Sequence, residues 1–211
     1  FAIIYTSLGL TGGSRIYYAK YVLGNEMINS TMTLFNYIPT ILTIMLIPIF
    51  AKKFGKIKAL FVGFLFYGAG LILEIAGPVN LPMIYGGLVL QGIGHAALYS
   101  CLFAIVGDVV DYSEWKDGIR EEGLTYSVTS FGQKIGTGLG TAALGWILAA
   151  GGFDAKAAVQ SSSSLAAINA SFAWIPAIAM AIAFVALMFF DLDKHYDKAV
   201  EDLENGKHRL G

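Results

Sequence analysis

The chain has 211 residues, 56% of them apolar and only 14% charged, with a formal net charge of −1 and a mean hydropathy of +0.64. Soluble domains carry charge on roughly 25% of their residues, so this composition points to a multi-span membrane protein. No basic block is available to neutralise a phosphate backbone, which excludes nucleic acid as a partner, and the single Cys101 excludes an internal disulfide or a cysteine-cluster metal site.

The sequence opens on Phe1 inside an apolar run, without an initiator methionine or a cleavable leader. That start is expected of a fragment whose N-terminal portion is missing. Six apolar segments follow, at about 2–23, 32–51, 57–76, 82–110, 124–150 and 165–190. Each is long enough to cross a ~30 Å hydrocarbon core as a helix, whereas barrel strands would be ~10 residues with strict alternation. The expected fold class is therefore an all-α membrane protein, with a six-helix bundle over 1–190 and a tail over 191–211. The breaks carry turn chemistry at Gly24-Asn25, Gly77-Pro78 and Gly151-Gly152, the last before the serine run 161–164.

Loop charge sets the expected orientation. Lys52, Lys53, Lys56 and Lys58 follow the second segment, and Lys116 and Arg120 follow the fourth. The tail holds Lys194, Lys198, Lys207 and Arg209. With six spans these regions share one face, while the links on the other face carry only Lys156. An excess of Lys and Arg marks the cytoplasmic side, so a multi-pass protein of the cytoplasmic membrane with a cytoplasmic tail is expected. Asn29-Ser30-Thr31 on the other face is a formal glycosylation sequon, a tripeptide that arises often by chance.

The segments differ in polarity. On the first, Ser7, Thr11, Ser14, Tyr18 and Tyr21 form one stripe at 3,4 spacing, with Arg15 beside it. The second contributes Asn36, Thr40 and Thr43. The fourth has Gln91, His95 and Tyr99 at four-residue spacing, and the fifth has Ser127, Ser130, Lys134, Thr137 and Thr141. The third and sixth are nearly apolar through their middles and are expected to face mostly lipid. Two triplets, each ending in its most apolar helix, fit a three-plus-three inverted repeat of a major facilitator half.

Lys134 lies ten residues past Leu124, about 15 Å along the helix axis. An ammonium at that depth costs at least ~2.5 kcal/mol and should face a cavity or an acid. It could donate hydrogen bonds to a polar solute, pair with a carboxylate, or do both. Arg15 needs a partner for the same reason. Gly132, Gly136 and Gly140 recur almost opposite the polar stripe and read as a close helix-packing face. Asp108 and Asp111 sit at a helix C-terminus, where they oppose the macrodipole and need a compensating cation. Arg120 and the lysines at 52–58 are the candidates, and a charge network there would serve as a cytoplasmic gate. Glu114, Asp117 and Glu121 read as a solvated loop. His95 has no second histidine at ligand spacing and reads as a hydrogen-bonded lining residue. Tyr99 reads either as packing or as a stacking face for a sugar. The run from Gly92 to Ala97 matches a dinucleotide fingerprint only superficially, because no strand precedes it. No Ser-His-Asp or paired-acid set sits on a credible scaffold, so no enzyme activity is expected.

Longer motifs go beyond spacing. Asp108-Val109-Val110-Asp111-Tyr112, then Glu114, Lys116, Arg120 and Glu122-Gly123-Leu124, then Tyr126-Ser127-Val128 and Phe131-Gly132-Gln133-Lys134 resemble the signature of the glycoside-pentoside-hexuronide:cation symporters. Tyr17-Tyr18 with Tyr21-Val22-Leu23-Gly24, and Phe54-Gly55-Lys56, look like the same family. The resemblance implies the C-terminal half, helices seven to twelve, of a twelve-helix carrier that takes up sugar with Na⁺ or H⁺. It puts Lys134, Ser130, Gln133 and Tyr99 at or beside bound sugar, and Asp108, Asp111, Arg120 and Glu122 in an inner gate. Tyr99 replaces the tryptophan of the melibiose carriers, which leaves the sugar open. The cation-binding aspartates belong to the N-terminal half.

The expected function is cation-coupled sugar or glycoside symport by alternating access. Gln91 and Tyr18 join the expected substrate set as polar groups of facing helices. The expected partners are a small sugar, a coupling cation, the lipid bilayer and the missing N-terminal half; no resident cofactor or structural metal is expected. The alternatives are a lysolipid carrier of the same superfamily, or a transport-inactive scaffold or sensor that docks partners through the tail.

Overall fold

The computed structural model describes residues 1–190 and 192–206. The described residues are mostly helical, with no strand among them. α1 (Ala2–Tyr17) continues into a π-helical turn (Tyr18–Val22). α2 (Ile28–Ile44) and α3 (Ile47–Phe54) follow, then α4 (Lys56–Ala76), α5 (Leu81–Asp117) and α6 (Glu122–Ala150). α7 (Ser162–Asn169) passes through a second π-helical turn (Ala170–Trp174) into α8 (Ile175–Met188), and α9 (Asp193–Glu204) ends the described chain.

Among the described residues, α4, α5 and the continuous rod from α7 to α8 are long and apolar enough to cross a membrane. The number becomes four if α2 and α3 count as one span, bent by 52°. The bend has a local cause. Pro48 lies in the first turn of α3 and has no N–H to donate back into α2. The first and fifth segments form helices as expected, but their polar stripes keep them below the apolarity of the others. The protein is thus an all-helical, multi-pass membrane protein.

Two differences from the sequence reading matter for the site. The fourth span does not stop near residue 110. α5 runs to Asp117, about 55 Å at 1.5 Å per residue, and so overhangs a ~30 Å core. Its charged end is helix, and the connection shrinks to a short turn that begins at Gly118, whose φ of +72° closes the helix in a left-handed cap. The second difference concerns α4, which was read as a lipid-facing helix. Its packing against α5 is the most extensive helix pair in the bundle.

Glycines explain that packing. A methyl carbon on Gly94 of α5 would lie 2.6 Å from Gly63 O on α4, and one on Gly87 would lie 2.7 Å from Gly70 O. The two backbones meet where side chains are missing. α1 and α6 meet in the same way, since a methyl carbon on Gly136 would lie 2.5 Å from Ala2 O and one on Gly9 would lie 2.7 Å from Thr137 O. The glycine face expected on the fifth segment is therefore the contact with α1.

Two polar residues of α2, Asn36 and Thr40, are turned inward. Asn36 donates to Leu88 O at 3.1 Å and Thr40 donates to Gly92 O at 3.0 Å. One end of the bundle carries the α3–α4 junction, the C-terminal end of α5 and α9. The opposite end carries the link between α4 and α5, where Tyr18 donates to Pro78 O. Lys20, within the first apolar segment by sequence, sits near that end and pairs with Glu26 at 3.4 Å. Asp191 and residues 207–211 of the expected tail, including Lys207 and Arg209, lie outside the described residues.

Candidate functional site

α6 presents a polar stripe outward. Ser127, Ser130, Lys134, Thr137 and Thr141 are all exposed, whereas Gly136 and Gly140 are buried against α1. Ser127, Thr137 and Thr141 turn their hydroxyls back to the carbonyls four residues earlier, at 2.6–3.0 Å, which satisfies them within the helix. Ser130 and Lys134 line a cavity of about 430 Å³ together with Tyr126, Ser127 and Phe131. No acidic group among the described residues lies within 4.0 Å of the Lys134 ammonium. This cation therefore points at open space rather than at a carboxylate of its own bundle.

The remaining residues expected at the substrate divide by depth. Gln133 is half-buried beside Lys134, and Tyr99 is half-buried on α5 with its ring stacked on His95 at 5.5 Å. Gln91 and Tyr18 are not on the open face. Gln91 is fully buried. Tyr18 is buried too, donating to Pro78 O and stacking on Phe172 at 4.1 Å.

At the far end of α5 the expected charge network is assembled. Lys56 reaches Asp108 at 2.5 Å, with the Asp108 side chain only 8% exposed. Arg120 contacts Asp111 at 2.9 Å and Glu122 at 3.4 Å. Glu114 departs from the solvated role read for it, because it makes the shortest contact with Arg120, 2.6 Å. The reason is the longer helix: Asp111 and Glu114 are three residues apart on α5, so both point at the cation just beyond its end. The Glu114 and Asp111 carboxylates hold the Arg120 guanidinium well above its usual range, so it stays charged. α9 closes over this cluster. Trp115 donates to Asp202 at 2.9 Å, Tyr196 donates to Asp111 at 3.4 Å, and Lys56 sits 5.4 Å over the Tyr196 ring. Burial, then the Asp108 carboxylate, pushes the Tyr196 phenol upward, which keeps it a donor.

One polar residue was missed altogether. Glu74, near the end of α4, is 1% exposed, and neither carboxylate oxygen has a hydrogen-bond partner. Around it are further buried groups without partners: Arg15 Nε, Tyr67 Oη, the Gln91 amide and His95 Nε2. The signal was available, since an acid inside an apolar segment is itself a functional hypothesis.

The chain matches the MFS/sugar transport protein family over residues 1–194. It is 33% identical to the isoprimeverose transporter of Lactiplantibacillus pentosus over 192 residues, covering 90% of this chain and 37% of that protein. Identity is 31% over 197 residues to the glucuronide carrier protein homolog of Escherichia coli K12, covering 92% and 43%. It is 30% over 197 residues to the uncharacterized symporter YjmB of Bacillus subtilis 168, covering 89% and 41%. The chain thus spans well under half the length of these relatives. Family and relatives alike point to transporters rather than enzymes. From its helical architecture, its signature residues and these matches, the chain belongs to the MFS/sugar transport family, among the glycoside-pentoside-hexuronide symporters.

Proposed function

We propose that this chain forms the half equivalent to helices seven to twelve of a cation-coupled sugar carrier in the cytoplasmic membrane. The carrier works by alternating access, and the half is built as a three-plus-three repeat. The observation that carries the reading is the exposed stripe on α6, with Lys134 unpaired beside a cavity of about 430 Å³. A charge at membrane depth without an acid of its own is suited to binding solute hydroxyls or a carboxylate of the complementary half. Ser130, Gln133 and Tyr99 complete the sugar wall. The relatives' names, isoprimeverose transporter and glucuronide carrier, support a sugar or glycoside cargo over a lysolipid.

The Lys56–Asp108 pair and the Arg120 cluster with Asp111, Glu114 and Glu122 form the inner gate on the cytoplasmic side, with α9 as its cover. Na⁺ or H⁺ drives uptake, held mainly by the complementary half, and its binding lowers the cost of the occluded state. The test is Lys134→Gln in the complete carrier, reconstituted in vesicles with a labelled glycoside. Cation-driven accumulation is expected to drop to background. Accumulation at the wild-type level by this variant would defeat the assignment.

A further inference from the structure

The buried cluster around Glu74 plays no part in the sugar wall or the gate. Glu74 projects from α4 into α5 at Gly87. A methyl carbon on that glycine would lie 2.9 Å from Glu74 Cγ and 3.4 Å from Oε1, so the absent side chain makes the space the carboxyl occupies. One turn further along α5 stands Gln91, whose amide oxygen and nitrogen are both unpartnered. The groups facing Glu74 come from each neighbouring element. Arg15 and Tyr18 come from α1 and its π-turn, Tyr67 from α4 itself, and Gln91 from α5. The opposite charge is Arg15, 6% exposed, yet the two make no salt bridge within 4.0 Å.

Glu74 also borders a cavity of about 320 Å³ whose other walls include Tyr18, Pro78, Asn169 and Trp174. This cavity lies at the Pro78 end, between the two π-helical turns. Such turns are uncommon and are found often at functional sites. On the inward side the cluster continues through Tyr67 and His95, whose rings are 4.9 Å apart, to Tyr99 on the sugar wall, 5.5 Å from His95. A chain of polar groups thus runs from a cavity at one end of the bundle to the solute face.

We propose that Glu74 is a proton-binding site within this six-helix unit, loaded through the cavity at the Pro78 end. The inference rests on the carrier reading only for its consequence in transport. An ionised carboxylate without hydrogen bonds is costly in an apolar interior, and taking up one proton to give the neutral acid removes that cost. A metal ion held by several acidic, histidine or cysteine side chains fits less well, because no group of three or more of these able to hold one occurs among the described residues. The proton enters from the aqueous side of the cavity and adds to the carboxylate without any other bond changing. Its arrival withdraws the negative charge that faces Arg15. The guanidinium, which also faces Tyr99 and Tyr37, is then left to attract an oxygen of the solute. Proton loading and solute binding thereby favour each other.

The test uses the complete carrier reconstituted in vesicles. Infrared difference spectra between alkaline and acidic buffer are expected to show a protonated carboxyl C=O band that disappears in Glu74→Gln and shifts in Glu74→Asp. In the same preparations, accumulation of labelled glycoside driven by a pH gradient is expected to fall about tenfold in Glu74→Gln, while glycoside exchange without a gradient persists. A band that survives in Glu74→Gln, or an unchanged pH-driven accumulation, overturns the proposal. So does a site at which Glu74→Gln abolishes Na⁺ stimulation with no carboxyl band in the wild type. If Glu74→Gln does not fold, the shifted or unshifted band of Glu74→Asp decides. Should the wild-type carrier move no glycoside, the carrier reading fails, and the infrared band still decides the fate of Glu74.

Discussion

Single residues at membrane depth divide by whether their bundle satisfies them. Asn36 and Thr40 are satisfied by backbone carbonyls of α5, and Ser14 donates to Ser171 O at 3.3 Å. Lys134 and Glu74 are not, and functional proposals attach to both. Their legibility differed. Lys134 stood out because it is the one charge in a regular polar stripe well inside an apolar segment. Glu74 stands near the end of its segment, outside any polar stripe, and its burial depends on the vacancy at Gly87, a residue of another helix. No spacing along one segment reveals such a pairing. The glycine reading is testable at this scale. Gly136→Ala places a methyl carbon 2.5 Å from Ala2 O, a backbone atom with no rotamer to change. Overpacking of this kind costs about 1–3 kcal/mol, so a lower unfolding temperature is expected in detergent. The neighbouring Gly138→Ala, with open space around it, should leave that temperature within error.

Whole helices were easier to foresee than their ends. Apolar runs marked all six rods, but the stop of α5 and the bend between α2 and α3 depend on details that hydropathy averages away. The helix carries past residue 110 because Asp111, Glu114 and Trp115 find partners on its flank: Arg120 for the two acids, and Asp202 of α9 for the indole. The partner cations for Asp108 and Asp111 were foreseen from the macrodipole argument; the part played by α9 was not, since nothing in the sequence says where the chain returns. The gate can be tested at this level. Arg120→Ala leaves Asp111, Glu114 and Glu122 repelling one another across the end of α5. A cysteine introduced by Ser130→Cys, in a Cys101→Ala background of the complete carrier, is then expected to react severalfold faster with a polar thiol reagent supplied from the cytoplasmic side. High salt should narrow the difference, because the Arg120 side chain is half exposed and its contacts are screened. An equal rate in both proteins removes the gate from the model of transport.

Across the whole molecule, the apolar exterior is spread over several helices, and α6 carries the polar stripe among exposed apolar residues such as Val128, Phe131 and Trp146. Leu65 and Ile72 on α4 and Ile178, Ile182 and Val185 on α8 are exposed, as expected of surfaces that meet lipid, while α6 shows hydroxyls and an ammonium. The polar stripe of α6 was visible in the segment polarities. What could not be read was how α4 serves both sides, showing apolar side chains outward and holding Glu74 inward. The overhang of α5 gives this double role a mechanical meaning. From its close contact at Gly87 to Glu114 the chain runs about 40 Å as one unbroken helix. Turning that helix by about 5° on the Gly70–Gly87 contact carries its far end some 3.5 Å, by the length of the helix alone. A fulcrum beside Glu74 would thereby magnify a small turn near the carboxyl into a displacement of the same size as the 2.5 Å contact between Asp108 and Lys56 of α4.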